Sequence, residues 1–177
     1  MSAYTDRFAE DAKDPVSAFY KYLWVRFDAT TILSPLIKVG NRIDFSDRDK
    51  GIKANIASAD CPEVMLTFGG FSRKGANSAE DVATISGTWT VASGELKFYN
   101  SVPYVTWLLN IFMGKIEYES CVGIDYEGIK IGSITLPEEI PFGFLDPETN
   151  RGLKGYASKL NFKAELYYNR SVYNDPV

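Results

Sequence analysis

The sequence contains no histidine among its 177 residues. This absence removes the side chain that most often acts as general base, as metal ligand and as activator of a serine or cysteine nucleophile. The sequence also has no GxxxxGKS/T, GxGxxG or GxSxG pattern, so a phosphate-binding loop and a nucleophile elbow have no support. Carboxylate, lysine and tyrosine chemistry stays open, but we predict a protein that is not an enzyme and that holds no cofactor or metal.

Cysteine is scarce, and the two cysteines, Cys61 and Cys121, lie far apart without CxxC spacing. A disulfide between them stays open, although two reduced and buried thiols are the better interpretation. Long apolar runs are missing as well. The longest, Val102–Met113, is interrupted by Pro103 and Asn110, and a bilayer span needs about 20 residues. The polar, acidic residues 1–14 are unlike a signal or transit peptide. We therefore expect a soluble protein made in a cytoplasm, without a membrane partner.

Positive charge is not in excess: 19 Lys and Arg stand against 23 Asp and Glu, for a formal net charge of −4. Tight binding of DNA or RNA is disfavoured, because such binding needs a basic surface that neutralises phosphates. Three aspartates, Asp44, Asp47 and Asp49, suggest calcium, but the segment lacks the glycine and the terminal glutamate of an EF-hand loop. A solvated loop is the better interpretation.

Paired carboxylates are the strongest enzymatic alternative. Glu138 and Glu139 precede Pro141, and Glu117 and Glu119 share one face of a predicted strand. A glycosidase needs two such acids about 5–10 Å apart across a cleft. Acids on loops and strand surfaces are more often simply solvated, so this hypothesis ranks behind the others.

The length and composition of the chain predict one globular domain over residues 1–177. We expect a polar arm at 1–13 and a loose tail at 173–177. Hydrophobic residues make up 45% and aromatic residues 14%, with 11 Tyr and 11 Phe. So many large rings are typical of a β-rich core or of an interface.

Apolar spacing of three and four predicts a first helix over Val16–Phe27, with Asp14 as cap, Pro15 in the first turn and an end near Asp28. A short helical turn within 30–37 and an extended piece at 42–45 follow. Ser46–Ala59 is predicted to be an exposed loop.

Pro62–Phe68 is predicted to be a strand, and the glycine-rich segment Gly69–Ala79 a long hairpin or loop. Glu80–Val91 alternates between two faces, which predicts a strand with a possible bulge at Gly87. A second helix starts near Gly94 or at Pro103 with Ser101 as cap. It has almost no polar face, so it needs cover on most sides.

Two further strands are predicted at Lys115–Ile124 and Glu127–Leu136, then a loop over Pro137–Gly155. The closing strand is the clearest, with Leu160 to Tyr168 alternating against polar positions. The element order predicts an α+β fold, a mainly antiparallel β-sheet with two α-helices packed on one face.

The chain also offers candidates for an interface with copies of itself. The apolar second helix contributes three large side chains, the hairpin two cations, the acidic loop two carboxylates and the polar face of the last strand one tyrosine: Trp107, Leu109, Phe112, Arg73, Lys74, Glu138, Glu139 and Tyr167. Tyrosine on a polar strand face is enriched at interfaces. Cross-strand packing on an ordinary sheet is the alternative for Tyr167.

Four segments give the chain a resemblance to the tail-terminator and tail-completion (neck) proteins of tailed bacteriophages. The first helix is followed by ILSPLIKVGNRIDF, which resembles the helix, apolar turn and strand entry of that family. The other three are ADCPEVMLTF, a step into the first long strand; ATISGTWTVAS, a strand leading into the second helix; and KLNFKAELYYN, a closing strand after the turn DPETNRG. The likeness covers about Val16–Asn169 and is carried mainly by hydrophobic pattern.

The resemblance implies a structural virion protein that forms a ring, usually of six subunits, on the phage tail tube. Its partners would be its own copies, the tail tube protein and a head-completion or neck protein, with DNA passing through the lumen without specific binding. An acidic ring agrees with this because it repels phosphate. The alternatives are another tail or neck subunit, an aromatic-cleft binder of carbohydrate or small molecules, and the acid-pair glycosidase.

Overall fold

The computed structural model describes residues 15–43, 61–77, 79–112, 129–145 and 155–169. In chain order these residues form three α-helices, one short 3-10 turn and six strands. Their bounds are α1 Pro15–Asp28, α2 Leu33–Leu36, the 3-10 turn Val39–Asn41, β1 Arg42–Ile43, β2 Glu63–Gly75, β3 Glu80–Ala92, α3 Phe98–Phe112, β4 Ile129–Thr135, β5 Phe142–Leu145 and β6 Gly155–Asn169.

The described strands form one sheet in the order β1-β2-β3-β6-β4, with β5 also paired to β6. Only the short β1 runs parallel to its neighbour; the other pairs are antiparallel. Both β4 and β5 pair with β6: β5 pairs with the first residues of β6, and β4 pairs with the last residues of β6. The predicted α+β class, with a mainly antiparallel sheet, is confirmed.

The two faces of the sheet differ as the alternation in β3 and β6 predicts. The buried side chains of the inner face alternate along both strands: Ile85 and Trp89 in β3, and Leu160, Phe162, Ala164, Leu166 and Tyr168 in β6. The helices α1 and α3 cover that face. The opposite face carries mainly hydroxyl, amide and lysine side chains and is open to water, as is common for an antiparallel sheet. Two of its side chains, Thr88 and Asn161, are hydrogen-bonded at 2.8 Å.

The helix α1 packs through an aromatic face. Trp24 and Phe27 lie one helical turn apart, and both rings contact Trp89 of the sheet, with centroid separations of 4.9 and 5.8 Å. All three side chains are buried. Burying large rings in edge and stacked geometry makes this contact the centre of the core.

The predicted bulge lies on the neighbouring strand. The register shift occurs in β2 between Phe68 and Gly70, opposite Gly87 and Ser86, while β3 itself stays in register with β6. Gly87 serves a different purpose. A Cβ there would lie 2.4 Å from the Phe162 ring, so the missing side chain admits the rings of the core.

Two predicted loops are wrong in part. The segment Gly69–Ala79 is mostly strand, because the bulge absorbs one residue and β2 then continues to Gly75. The remaining turn is tight, and the Asn77 side chain accepts hydrogen bonds from the backbone N–H groups of Ala79 and Glu80, each at 2.8 Å. In Pro137–Gly155, the strand β5 was missed because four residues containing a glycine carry little strand signal.

The second helix begins at Phe98, between the two predicted starts, so Ser101 and Pro103 lie inside it. Its buried side faces the sheet and α1, while Thr106 and Asn110 are exposed on the other side. The protein's own fold therefore covers one side of α3. Several predictions lie outside the described residues: the arm 1–13, the helix cap Asp14, residues 44–45 of the extended piece, the loop Ser46–Ala59, the strand Lys115–Ile124 with Cys121, and the tail 173–177.

Candidate interaction surfaces

Large apolar side chains remain in water at three places in the described part of the chain. The first lies on and beside α2, the second at the start of α3 and the third at the hairpin of β2 and β3. Their exposed side chains are, in that order, Ile32, Leu36 and Val39; Leu96, Phe98 and Tyr99; and Phe71. Contiguous apolar patches on a protein surface commonly mark contacts with partners or ligands.

The first place, here called the Trp107 groove, lies between the end of α1, the segment leading into α2 and the last turns of α3. It has a volume of about 380 Å³ and is lined by Arg26, Ala29, Thr30, Thr31, Ile32, Leu33, Trp107, Asn110 and Ile111. The Arg26 Nε donates to the Ile111 carbonyl at 2.9 Å, which ties α1 to α3. Among the described residues of the lining, Arg26 is the one that carries a charge.

Arg42 holds the segment between α1 and β1 in place. It is buried, its Nη1 donates to Asp28 Oδ1 at 2.5 Å, and its Nε and Nη2 donate to the Ile37 carbonyl at 3.0 and 2.9 Å. Its Nη2 also donates to the Ser34 carbonyl at 2.5 Å. Because this network fixes α2 with Leu33 inward, Ile32 stays on the outside beside the groove.

The second place, here called the aromatic knob, is Leu96, Phe98 and Tyr99. Leu96 and Tyr99 are 62% and 64% exposed. The Phe98 ring is anchored against Phe142 and Tyr156, at centroid separations of 5.0 and 5.7 Å. The backbone leading into the knob is held by the Tyr156 N–H, which donates to the Glu95 carbonyl at 2.9 Å. The knob is therefore built on the ordered ends of β5 and β6.

Acidic side chains occur in the two segments that lead to the knob and to the ring of Phe142 beside it. Glu95 lies directly before the knob, and Glu138 and Glu139 are exposed in the loop that leads to Phe142. That loop is fastened to β6 by the Ser158 Oγ, which donates to the Pro141 carbonyl at 2.7 Å. The basic neighbour Lys97 lies over the Tyr99 ring at 5.7 Å.

The third place, here called the Phe71 pocket, lies where the inner face of the sheet extends past the start of α1. It holds about 350 Å³ and is lined by Pro15, Val16, Phe68, Phe71, Arg73, Ala83 and Tyr168. Arg73 pairs with the buried Asp81, and its guanidinium lies 5.8 Å from the Tyr168 ring. The described lining of the pocket is thus apolar apart from the half-exposed guanidinium of Arg73.

The predicted interface residues of α3 have different fates. Trp107 lines the groove and is half-buried. Leu109 is half-buried and packs against the core. Phe112 is only 6% exposed, with its ring 5.2 Å from Phe162, so it has little surface left for a partner.

The other predicted interface residues are spread over the molecule. Arg73 lines the Phe71 pocket, and Lys74 is exposed beside it on β2. Glu138 and Glu139 are exposed in the loop that leads to Phe142. The Tyr167 ring lies across β4, where a Cβ on Gly132 would come within 2.3 Å of it. This contact is the cross-strand packing that the sequence left as the alternative for Tyr167.

Neither Glu138 nor Glu139 lines the groove or the pocket, and no group of three or more potential metal-ligating side chains occurs in the described ranges. Burial raises the pKa of the Tyr20 hydroxyl, and burial followed by nearby Glu95 and Cys61 raises the pKa of Tyr104. Both hydroxyls therefore stay neutral near pH 7. Cys61, predicted to be buried, is only half-buried.

Comparison with known proteins gives no family for the chain, so its role is inferred from its surfaces. No family model matches the chain, and a search of curated proteins finds no match. Among the helices of the described ranges, none combines the length and the apolar character needed to cross a bilayer.

Proposed function

We propose that the protein is a structural virion subunit that assembles with its own copies into a ring on a phage tail tube. In this role, which the resemblance to tail-terminator and tail-completion proteins suggests, the ring is hexameric, ends growth of the tube and joins tail to head. Its other partners are the tail tube protein and a head-completion or neck protein.

The observation that carries the proposal is the apolar surface that a single copy leaves in water at both ends of α3. Phe98 and Tyr99 are 48% and 64% exposed, and an aromatic side chain can bury about 150–250 Å². The two rings therefore leave on the order of 200 Å² in water. Covering that area is worth on the order of 5 kcal/mol before the costs of association. A neighbouring copy supplies such cover.

The fold and the charge of the chain agree with this role. An antiparallel sheet backed by helices on one face gives a rigid scaffold, and the groove and the knob lie at the ends of its helices and loops. The acidic net charge of −4 per copy makes an assembled ring acidic, so DNA can pass through without adhering.

Light scattering after size exclusion, over a wide range of protein concentration, tests the proposal. The expected result is a single closed species of defined mass, seen as rings by electron microscopy. Mixing with purified tail tubes should then place one ring at a tube end. A protein that stays monomeric at the highest concentrations and does not bind tubes contradicts the proposal.

A second candidate, a binding module for a carbohydrate or small molecule, is favoured by the Phe71 pocket. Its aromatic and apolar lining and single cation fit the usual character of such sites. A screen of glycans and small carboxylates by ligand-observed NMR tests it on the wild type and on Phe71→Ala. Saturable binding that the variant loses, in a protein that remains monomeric, supports this function over the ring.

A further inference from the structure

We propose that neighbouring copies meet head to tail, with the aromatic knob of one copy seated in the Trp107 groove of the next. The inference rests on the proposed function, since it takes a second copy of the chain as the partner. It adds which two surfaces meet.

The two surfaces lie at opposite ends of one rigid element. Phe98 begins α3, and Asn110 of the groove lies twelve residues further along the same helix. At a rise of 1.5 Å per residue this is a separation of about 18 Å. A copy cannot place its own knob in its own groove, so each copy presents one half of a contact at each end. Contacts of this type continue from copy to copy and close into a ring when the rotation permits.

The groove is large enough to hold aromatic rings. The groove holds about 380 Å³, and a cavity of about 150 Å³ is enough to bind benzene. The groove therefore has room for the two rings of the knob, Phe98 and Tyr99. Its apolar lining, which includes Trp107 and the 49% exposed Ile32, gives those rings an aromatic and aliphatic surface to contact.

The charges favour this pairing over a symmetric one. Glu95 precedes the knob in the chain, and Glu138 and Glu139 lie in the loop before Phe142, whose ring contacts Phe98. Lys97 is the basic neighbour of the knob, whereas the described lining of the groove contains Arg26 and no acidic residue. A knob-to-knob contact would bring carboxylates against carboxylates, which costs free energy, and a knob-to-groove contact brings them toward Arg26.

Disulfide trapping tests the pairing in a background with Cys61→Ser and Cys121→Ser. Asn100→Cys places a thiol beside the knob, and Thr31→Cys places one in the groove lining; both positions are exposed. The chain with both cysteines should give a ladder of cross-linked multimers under mild oxidation. A mixture of the two single variants should stop at dimers, and neither single variant should cross-link alone.

The outcomes separate this inference from the proposed function. If light scattering shows assembly but the double variant gives no ladder, or if Asn100→Cys cross-links to itself, the pairing is wrong and the ring function stands. If the protein never assembles, the function fails as well. A charge test adds a second arm: reversing Glu138 and Glu139 to lysine should weaken assembly about tenfold or more, the equivalent of about 1.4 kcal/mol.

The control for the charge test is Lys163→Glu on the open face of the sheet. Lys163 is exposed and faces away from both helices, so its reversal should leave assembly within about twofold of the wild type. Equal losses in the reversed-glutamate variant and in this control would show that assembly does not depend on charge at the knob, and would overturn the pairing.

Discussion

Gly87 makes the sharpest test of how the core is packed, because the structure leaves no room for even one methyl group there. A Cβ on this residue would lie 2.4 Å from the Phe162 ring and 2.6 Å from the Tyr20 hydroxyl. Tyr20 has little freedom to retreat, since its hydroxyl donates to the Thr67 carbonyl at 3.1 Å. Gly87→Ala must therefore displace a ring, a strand or both.

The size of the effect follows from two opposing terms. Overpacking a tight core usually costs about 1–3 kcal/mol, whereas alanine in place of glycine at an unstrained site gains about 0.4–1 kcal/mol by restricting the unfolded chain. Gly143 supplies the matched control, because it is also a strand glycine and a Cβ there would meet nothing within 4 Å. The unfolded-chain gain is common to both alanine variants, so we expect their unfolding free energies to differ by the overpacking cost of about 1–3 kcal/mol, with Gly87→Ala the less stable.

Urea unfolding followed by tryptophan fluorescence measures this difference. With a slope of about 2–3 kcal/mol/M, the midpoints should lie roughly 0.5–1 M apart. Phe162→Leu replaces the ring that the new methyl group meets by a shorter side chain. The double variant Gly87→Ala with Phe162→Leu should therefore be more stable than the sum of the two single effects implies. Equal midpoints for Gly87→Ala and Gly143→Ala would refute the packing of Tyr20 and Phe162 against this strand.

Three further predictions concern single buried or half-buried groups. Because burial raises the pKa of Tyr20, the unfolded chain ionises first above about pH 10, so stability should fall there by up to about 1.4 kcal/mol per pH unit. Tyr20→Phe should remove that share of the slope in urea titrations at pH 8–11; an unchanged slope contradicts it. Arg42→Lys should lower stability by about 2–4 kcal/mol in thermal melts. The reason is that an ammonium cannot replace the guanidinium that joins Asp28 to the Ser34 carbonyl. A melt like that of the wild type contradicts this. Trp107→Asp should fold, as circular dichroism can verify, but should lose assembly by light scattering, because Trp107 is half-buried in the groove; normal assembly of the folded variant contradicts it.

The elements that the sequence predicts well are those in which one face is buried and the other is wet. The alternation in β3 and β6 is strict because a slip of one residue would turn Trp89 or Leu160 toward water. The same holds for α1, where Leu23 and Phe27 recur at helical spacing. Prediction fails at β2, where the bulge at Gly69 shifts the alternation by one residue and so makes a long strand look like a loop.

The candidate surfaces are harder to predict because exposure is a property of the tertiary structure. In the sequence, Ile32 and Leu96 look like any core residue, and only the placement of α2 and of the start of α3 leaves them outside. Trp107 was predicted from the excess of apolar residues in its helix, and the acidic pair Glu138 and Glu139 from its place in a loop. Trp107 lies toward the last turns of α3, whereas the loop of Glu138 and Glu139 leads to β5, whose Phe142 contacts Phe98 at the start of α3. The strand β5 is too short to detect from the sequence.

The open face of the sheet helps to explain why assembly would use the ends of α3. A contact over that face would remove water from hydroxyl and amide groups, so the partner must supply the hydrogen bonds that water makes. Thr88 and Asn161 are two such groups, and they are already hydrogen-bonded to each other. Each polar group left without a partner in a dry interface costs about 1–3 kcal/mol. The knob and the groove are mostly apolar, so their contact carries less of this penalty. A ring built through them therefore keeps the hydroxyl face of every copy in contact with water.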